Sequence, residues 1–204
     1  MTTEPVRLRD PEGTKRLVLD SAERLFSERG FAGTSIRDVA LASGVSHPLI
    51  QHHFVTKEGL YRSVFRRCGE DYKARFPELA EVTDRPVNLR EEMTRLFNFL
   101  QDRGRLMRMV GWARLEGRDD LFPEQSKSKE AMVRRIEAGQ RSGSIRGDID
   151  ASTLAVMLEA LLFYWIENRA SIAHCSNLVI NDDDYLEKAI LLFERGASPR
   201  HSGS

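Results

Sequence analysis

The sequence predicts an all-α protein in two parts, and three observations carry that prediction. Apolar residues recur at helical spacing from end to end, while alternation with period two never persists. Helix punctuation brackets these stretches: Asp10-Pro11 reads as an N-cap and first helical residue, Gly30 as a stop, Gly44 as a break. The segment from Pro77 to Val87 holds two prolines and no sustained periodicity, which places a connecting loop there.

Each element follows from its own pattern. A first helix starts at Pro11 and carries Val18, Ala22, Leu25 and Phe26 on one face until Gly30. A short second helix follows Thr34, with Ile36, Val39, Ala40 and Ser43 on one side. The third runs from about His47 to Phe54 with Ser46 as its N-cap. The fourth starts near Thr56-Lys57 and carries Leu60, Val64 and Phe65 towards Phe76. Beyond the loop, helices are expected at about 88–102, 105–116, 123–141, 151–174 and 182–195, with Gly143 to Asp150 as a polar turn. In the last helix Tyr185, Leu186, Ala189, Ile190, Leu192 and Phe193 face one way, and Glu187, Lys188, Glu194 and Arg195 the other. The expected organisation is a flexible arm at 1–9, a first domain at 10–76, a second at 77–197 and a disordered tail at 198–204.

Composition narrows the class without settling the function. The 204 residues are 41% apolar and 30% charged, which describes a soluble globular chain able to bury a core. Lys+Arg and Asp+Glu are both 31, so no net positive charge advertises a nucleic-acid partner and any such case rests on local motifs. Cys68 and Cys175 stand far apart, which argues against a disulfide framework or a zinc site and fits a reducing cytoplasm. The longest apolar run, Leu154 to Ile166, is broken by Glu159 and falls short of the roughly 20 residues that span a bilayer. No membrane association, cofactor or metal is expected.

The informative stretch is Phe31 to Leu60, FAGTSIRDVALASGVSHPLIQHHFVTKEGL. Two short helices flank a turn at Gly44, where glycine supplies the positive φ such turns require. Ile36, Val39, Ala40, Val45, Ile50 and Phe54 stand where the helices must pack on each other and on the first helix. The opposite side of the third helix shows His47, Pro48, Gln51 and His52, an arc that is polar yet uncharged. A helix of this size fits a DNA major groove about 12 Å wide. The helix-turn-helix is placed at about 35–54.

From Thr14 to about Phe65 the chain resembles the DNA-binding domain of the TetR family of one-component regulators. The resemblance rests on Leu19-Asp20, Ala22, Leu25-Phe26, Gly30-Phe31 and the run Thr34 to Ala40. Ala42 to Ser46 in the turn, then Phe54, Lys57, Glu58 and Leu60, complete it. A looser likeness covers Gly143-x-Ile145-Arg146-x-Asp148 and the final helix. The resemblance implies a homodimer on a double-stranded DNA operator, its C-terminal domain binding a small-molecule effector and pairing the subunits. The third helix departs from the family's commonest pattern: His47-Pro48-Leu49 and Gln51 stand where Lys-Gly-Thr and a Tyr are frequent. Pro48 is tolerated because first-turn N–H groups lack intrahelical partners.

The expected DNA contacts are Thr34, Ser35, Arg37, Ser46, His47, Pro48, Leu49, Gln51, His52, His53 and Lys57. Gln51 has the geometry to pair with adenine, and Lys57 at a helix start is suited to a phosphate. Thr34, Ser35 and Ser46 read first as N-caps, and His53 also as a packing partner of Leu49. Arg7 and Arg9 read either as a minor-groove arm or as a disordered tail. In the second domain the expected effector contacts are Phe97, Met107, Trp112, Met132, Glu159 and Phe163, each also a plausible core residue. The expected dimer contacts are Leu158, Leu161, Trp165, Tyr185, Ala189 and Leu192, on the last two long helices.

Two rival readings stay open on sequence alone. An enzyme is disfavoured because no nucleophile–base pair, phosphate-binding glycine loop or metal motif is present. A helical protein-interaction module is compatible with the uncharged arc of the third helix. Salt-sensitive DNA binding separates it from a regulator.

Overall fold

The structure, a computed structural model, describes residues 10–77, 88–121, 125–175 and 180–198. The arm with Arg7 and Arg9, the loop from 78 to 87 and the tail from 199 onward lie outside the described residues. Those described form nine α-helices and no strand. They are α1 (Pro11–Arg29), α2 (Ile36–Ser43), α3 (His47–Phe54), α4 (Lys57–Arg75) and α5 (Leu89–Gln101). There follow α6 (Gly104–Leu115), a 3-10 turn at Asp119–Leu121, α7 (Gln125–Arg141), α8 (Ala151–Cys175) and α9 (Asp182–Ala197). Among the described residues no helix is long and apolar enough to cross a membrane.

The fold divides where the sequence gives no sign of it. The described residues of Met1–Gly69 and Arg105–Pro123 form one compact unit, and those of Glu70–Gly104 and Glu124–Ser204 the other. The segment from Arg105, which follows the connecting loop and was expected in the second domain, therefore packs with α1 to α4. The reason lies in the core. Val18, Leu19, Ala22, Leu25 and Phe26 of α1 meet Val39, Ile50 and Phe54 of the two short helices and Leu60, Tyr61 and Val64 of α4. Met109 of α6 and Leu121 of the 3-10 turn complete the same cluster, both fully buried. The Tyr61 ring meets Phe26 and Phe31 edge-on at 4.8 and 5.4 Å, and its hydroxyl donates to the Met109 carbonyl at 3.0 Å. Burial raises the Tyr61 phenol pKa well above its ordinary value. Arg67 of α4 forks onto Asp20 and Glu23 of α1, both at 2.5 Å.

In the second unit α8 packs on α5 and α7, and α9 packs on α5 and α8. Met93, Phe97, Ile136, Leu158, Leu162 and Ile190 are its most deeply buried side chains. Among them lies a charge pair: Glu92, 3% exposed, accepts from the Arg135 guanidinium at 2.9 Å, with the Tyr72 hydroxyl 3.5 Å from its other oxygen.

The same packing corrects the expected dimer face. Leu158, Trp165 and Ala189 belong to the chain's own core, because they point to the side of α8 and α9 that the bundle covers. Leu161 and Tyr185 are half-buried, the Tyr185 hydroxyl donating to the Leu161 carbonyl at 2.7 Å and its ring stacking on Trp165 at 4.3 Å. Only Leu192, 65% exposed, stands free. The large apolar residues that remain exposed on α8 are Val156, Met157 and Tyr164.

Candidate nucleic-acid interface

The helix-turn-helix is built from local rules first. The Ser35 hydroxyl accepts the Asp38 N–H at 3.2 Å while the Asp38 carboxylate accepts the Ser35 N–H at 2.8 Å, a reciprocal cap that starts α2. The Ser35 hydroxyl also donates to the Asp38 carboxylate at 2.6 Å, and that bond, with the one from the Ser35 N–H, holds the Asp38 carboxyl below its ordinary pKa. Gly44 ends α2 in the left-handed region, at φ 69° and ψ 13°, and turns the chain into α3. Ile50 and Phe54 lock α3 onto the core. Pro48, Gln51 and His52 are thereby exposed, with His47, Leu49 and His53 half-exposed beside them. The His53 ring lies 5.5 Å from that of His52 and 6.1 Å from that of Phe54.

The expected contacts divide into residues that face solvent and residues committed elsewhere. Arg37 on α2 and Ser46 ahead of α3 are exposed, and the Ser46 side chain makes no capping bond. Ser35 is exposed but already occupied by its cap. Thr34 is corrected outright: it is 2% exposed, and its hydroxyl donates to the carbonyls of Gly30 at 2.9 Å and Leu25 at 3.2 Å. A side chain so placed ties the α1–α2 turn together and reaches no phosphate. Lys57 is half-buried, its ammonium 4.2 Å from the centre of the Phe31 ring. Burial lowers its pKa, with Glu58 and Glu116 pulling the other way.

Between α3 and α4 the backbone is strained. Val55 takes φ 63° and ψ −56°, and the Thr56 N–H donates to the Phe54 carbonyl at 2.7 Å, closing a γ-turn of the rarer, positive-φ kind. A β-branched residue there costs about 1–3 kcal/mol. Glycine would relieve that strain and give back about 0.5–1 kcal/mol in backbone entropy. The Val55 side chain is 75% exposed, so little burial is lost. Val55→Gly should therefore stabilise the protein by about 1 kcal/mol, a gain of about 2–4 °C in the unfolding midpoint. An unchanged or lower midpoint would show that this turn stores no strain.

The expected effector contacts do not share a unit. Phe97 and Met132 are buried in the second unit, Phe163 is half-buried on α8, and Glu159 pairs with Lys129 at 3.3 Å. Met107 and Trp112 belong to the first unit, where the Trp112 indole N–H donates to the Ser27 carbonyl at 3.3 Å. Sequence reading missed Glu116 and Arg118, which reach the head from the end of α6. The Glu116 partners, Phe31 and Ala32, lie 85 and 84 residues away, Arg118 meets the same Phe31, and no local pattern marks such a pairing.

Comparisons with known proteins follow this architecture. Residues 18–64 match the profile described as bacterial regulatory proteins, tetR family. Residues 88–187 match that of the tetracyclin repressor-like C-terminal domain. The chain is 28% identical over 147 residues to the HTH-type transcriptional repressor KstR2 of Rhodococcus jostii, covering 68% of this chain and 71% of that one. It is 43% identical over 74 residues to the HTH-type transcriptional repressor Rv3405c of Mycobacterium tuberculosis, a match confined to 34% of this chain and 39% of that one. Among solved structures, SmeT, the repressor of the Stenotrophomonas maltophilia multidrug efflux pump SmeDEF, superposes with a TM-score of 0.69 at 20% identity. That alignment covers 93% of this chain and 92% of SmeT. Salmonella enterica GusR superposes at 0.65 and 22% identity, over 92% and 97% of the two chains.

Proposed function

Because the chain belongs to the TetR family of bacterial regulatory proteins, we propose that it is a homodimeric repressor released from a near-palindromic operator by a small apolar effector. As a member of that family it is a DNA-binding transcriptional regulator. The observation that carries the reading is the pose of α3. Its apolar side is fixed by Ile50 and Phe54, and its outward arc of Pro48, Gln51 and His52 is left for base edges. Arg37, Ser46 and Lys57 surround that arc as phosphate contacts, with His47, Leu49 and His53 at its margin.

The subunits pair through the exposed face of α8 and α9, where Val156, Met157, Tyr164 and Leu192 remain uncovered. Two recognition helices in such a dimer meet half-sites about 34–36 Å apart, or a multiple of that. Phe97, Met132 and Phe163 offer an effector apolar and polarisable surface, and Glu159 a polar group. An effector that prefers a conformation with the wrong head spacing weakens DNA binding, and the operator weakens effector binding by the same factor.

Selection of bound sequences from a random duplex pool, then affinity against salt for the winner, tests the proposal. An inverted repeat with a steep salt slope supports it. Folded, dimeric protein that enriches nothing would leave the interaction-module reading. Lys57→Ala should weaken binding to every sequence and lower the salt slope by about one. An unchanged slope would remove Lys57 from the phosphate contacts.

A further inference from the structure

The end of α6 grips the turn that follows α1. Glu116 stands one residue beyond the helix, and its two carboxylate oxygens accept the N–H groups of Phe31 and Ala32, each at 3.1 Å. Consecutive main-chain N–H groups form a cradle for an anion, and here a side chain of the same unit fills it. The approach is close enough to dictate the residue beside it. Gly30 has φ +72°, and a Cβ there would lie 2.4 Å from a Glu116 oxygen and 3.0 Å from the Trp112 ring. A side chain at position 30 would be strained by that φ and would have to displace the Glu116 carboxylate from its cradle.

The gripped residue is also the seat of the proposed phosphate anchor. The Phe31 ring, 7% exposed, receives the Lys57 ammonium at 4.2 Å and the Arg118 guanidinium at 4.5 Å from its centre. Two cations against one ring repel each other, and the Glu116 carboxylate on the same backbone offsets that repulsion. Without it the turn loses two charge-assisted hydrogen bonds and the lysine loses a fixed resting place.

We infer that Glu116 is a positioning residue for operator binding, holding the Phe31 turn so that the Lys57 ammonium is set for a DNA phosphate. The inference rests on the operator-binding reading above. It assigns a part of the DNA-binding head to a residue 85 positions from that turn in the chain.

The test measures operator and scrambled-duplex affinity at several salt concentrations for the full-length protein, Glu116→Ala, Glu116→Gln, Lys57→Ala and the Glu116→Ala/Lys57→Ala double variant. Temperatures are kept well below each melting midpoint. Glu116→Ala should bind both duplexes about tenfold more weakly, the scale expected for losing hydrogen bonds to a charged group. Lys57→Ala should then add little, because its contact is already compromised. Glu116→Gln keeps an acceptor oxygen and should recover most of the affinity, and it also serves where the alanine variant fails to fold. A purely structural role would lower the melting midpoint yet leave the folded protein's affinity and salt slope unaltered. Wild-type affinity in Glu116→Ala, or full additivity with Lys57→Ala, overturns the inference while wild-type binding keeps the operator reading intact. A wild type without salt-dependent binding overturns both.

Discussion

Arg135→Met should destabilise the protein by about 3–5 kcal/mol, because it leaves the Glu92 carboxylate buried without its cation. Glu92 is 3% exposed and the Arg135 side chain 12%, so water cannot replace the lost partner as it does at a surface pair. The tyrosine beside them offers little help: Tyr72 reaches Glu92 only at 3.5 Å, and burial together with the Glu92 charge raises its pKa well above the ordinary value. Methionine keeps the length of the arginine stem, so the loss reports charge rather than a cavity. The pair itself need not stabilise the fold, since desolvating both groups costs as much as their attraction returns. Glu92→Leu added to Arg135→Met should therefore recover most of the loss. Urea unfolding of the single and double variants reads both effects. A single variant within 1 kcal/mol of wild type, or a double variant no better than the single, would show that Glu92 is solvated.

The contrast between Glu92 and the recognition helix shows where sequence reading works in this chain. Helix limits and caps come from neighbours within four residues, so α2, α3 and α8 fall within a residue or two of expectation. Glu92 left a readable trace, since it shares a helical face with Leu96 and Phe99, but its cation stands 43 residues away. Not every cap residue acted as expected. Asp10 and Ser46 precede α1 and α3 without side-chain capping bonds, whereas Ser35 makes a full capping box. The uncovered face of α8 was the least legible feature. That helix is apolar around most of its circumference, so periodicity does not distinguish the side of Leu158 from the side of Met157. The place of α6 was hidden for a related reason: contacts met in three dimensions, such as Met109 in the core and Trp112 on the Ser27 carbonyl, assign it to the first unit.

Tyr164→Glu combined with Leu192→Glu should convert the protein to monomers and cut operator affinity by about 100- to 10,000-fold. Both side chains are more than half exposed, at 62% and 65%, so the change spares the chain's own core. In a dimer that closes on a two-fold axis each substitution meets its own copy, which buries like charges together on the proposed face. A dimer gains its affinity from two linked half-sites, and severing the link removes the effective concentration that makes the second contact nearly free. Sedimentation reads the mass and titration against the selected duplex reads the affinity. Leu115→Glu is the control, an 82% exposed leucine of the first unit whose substitution should change neither. Thermal unfolding of the double variant must remain cooperative for the result to count. If the protein still sediments as a dimer and holds its operator as before, the subunits pair through another surface. If it becomes a monomer yet binds full operator undiminished, a single head suffices, and head spacing cannot be the variable that an effector changes.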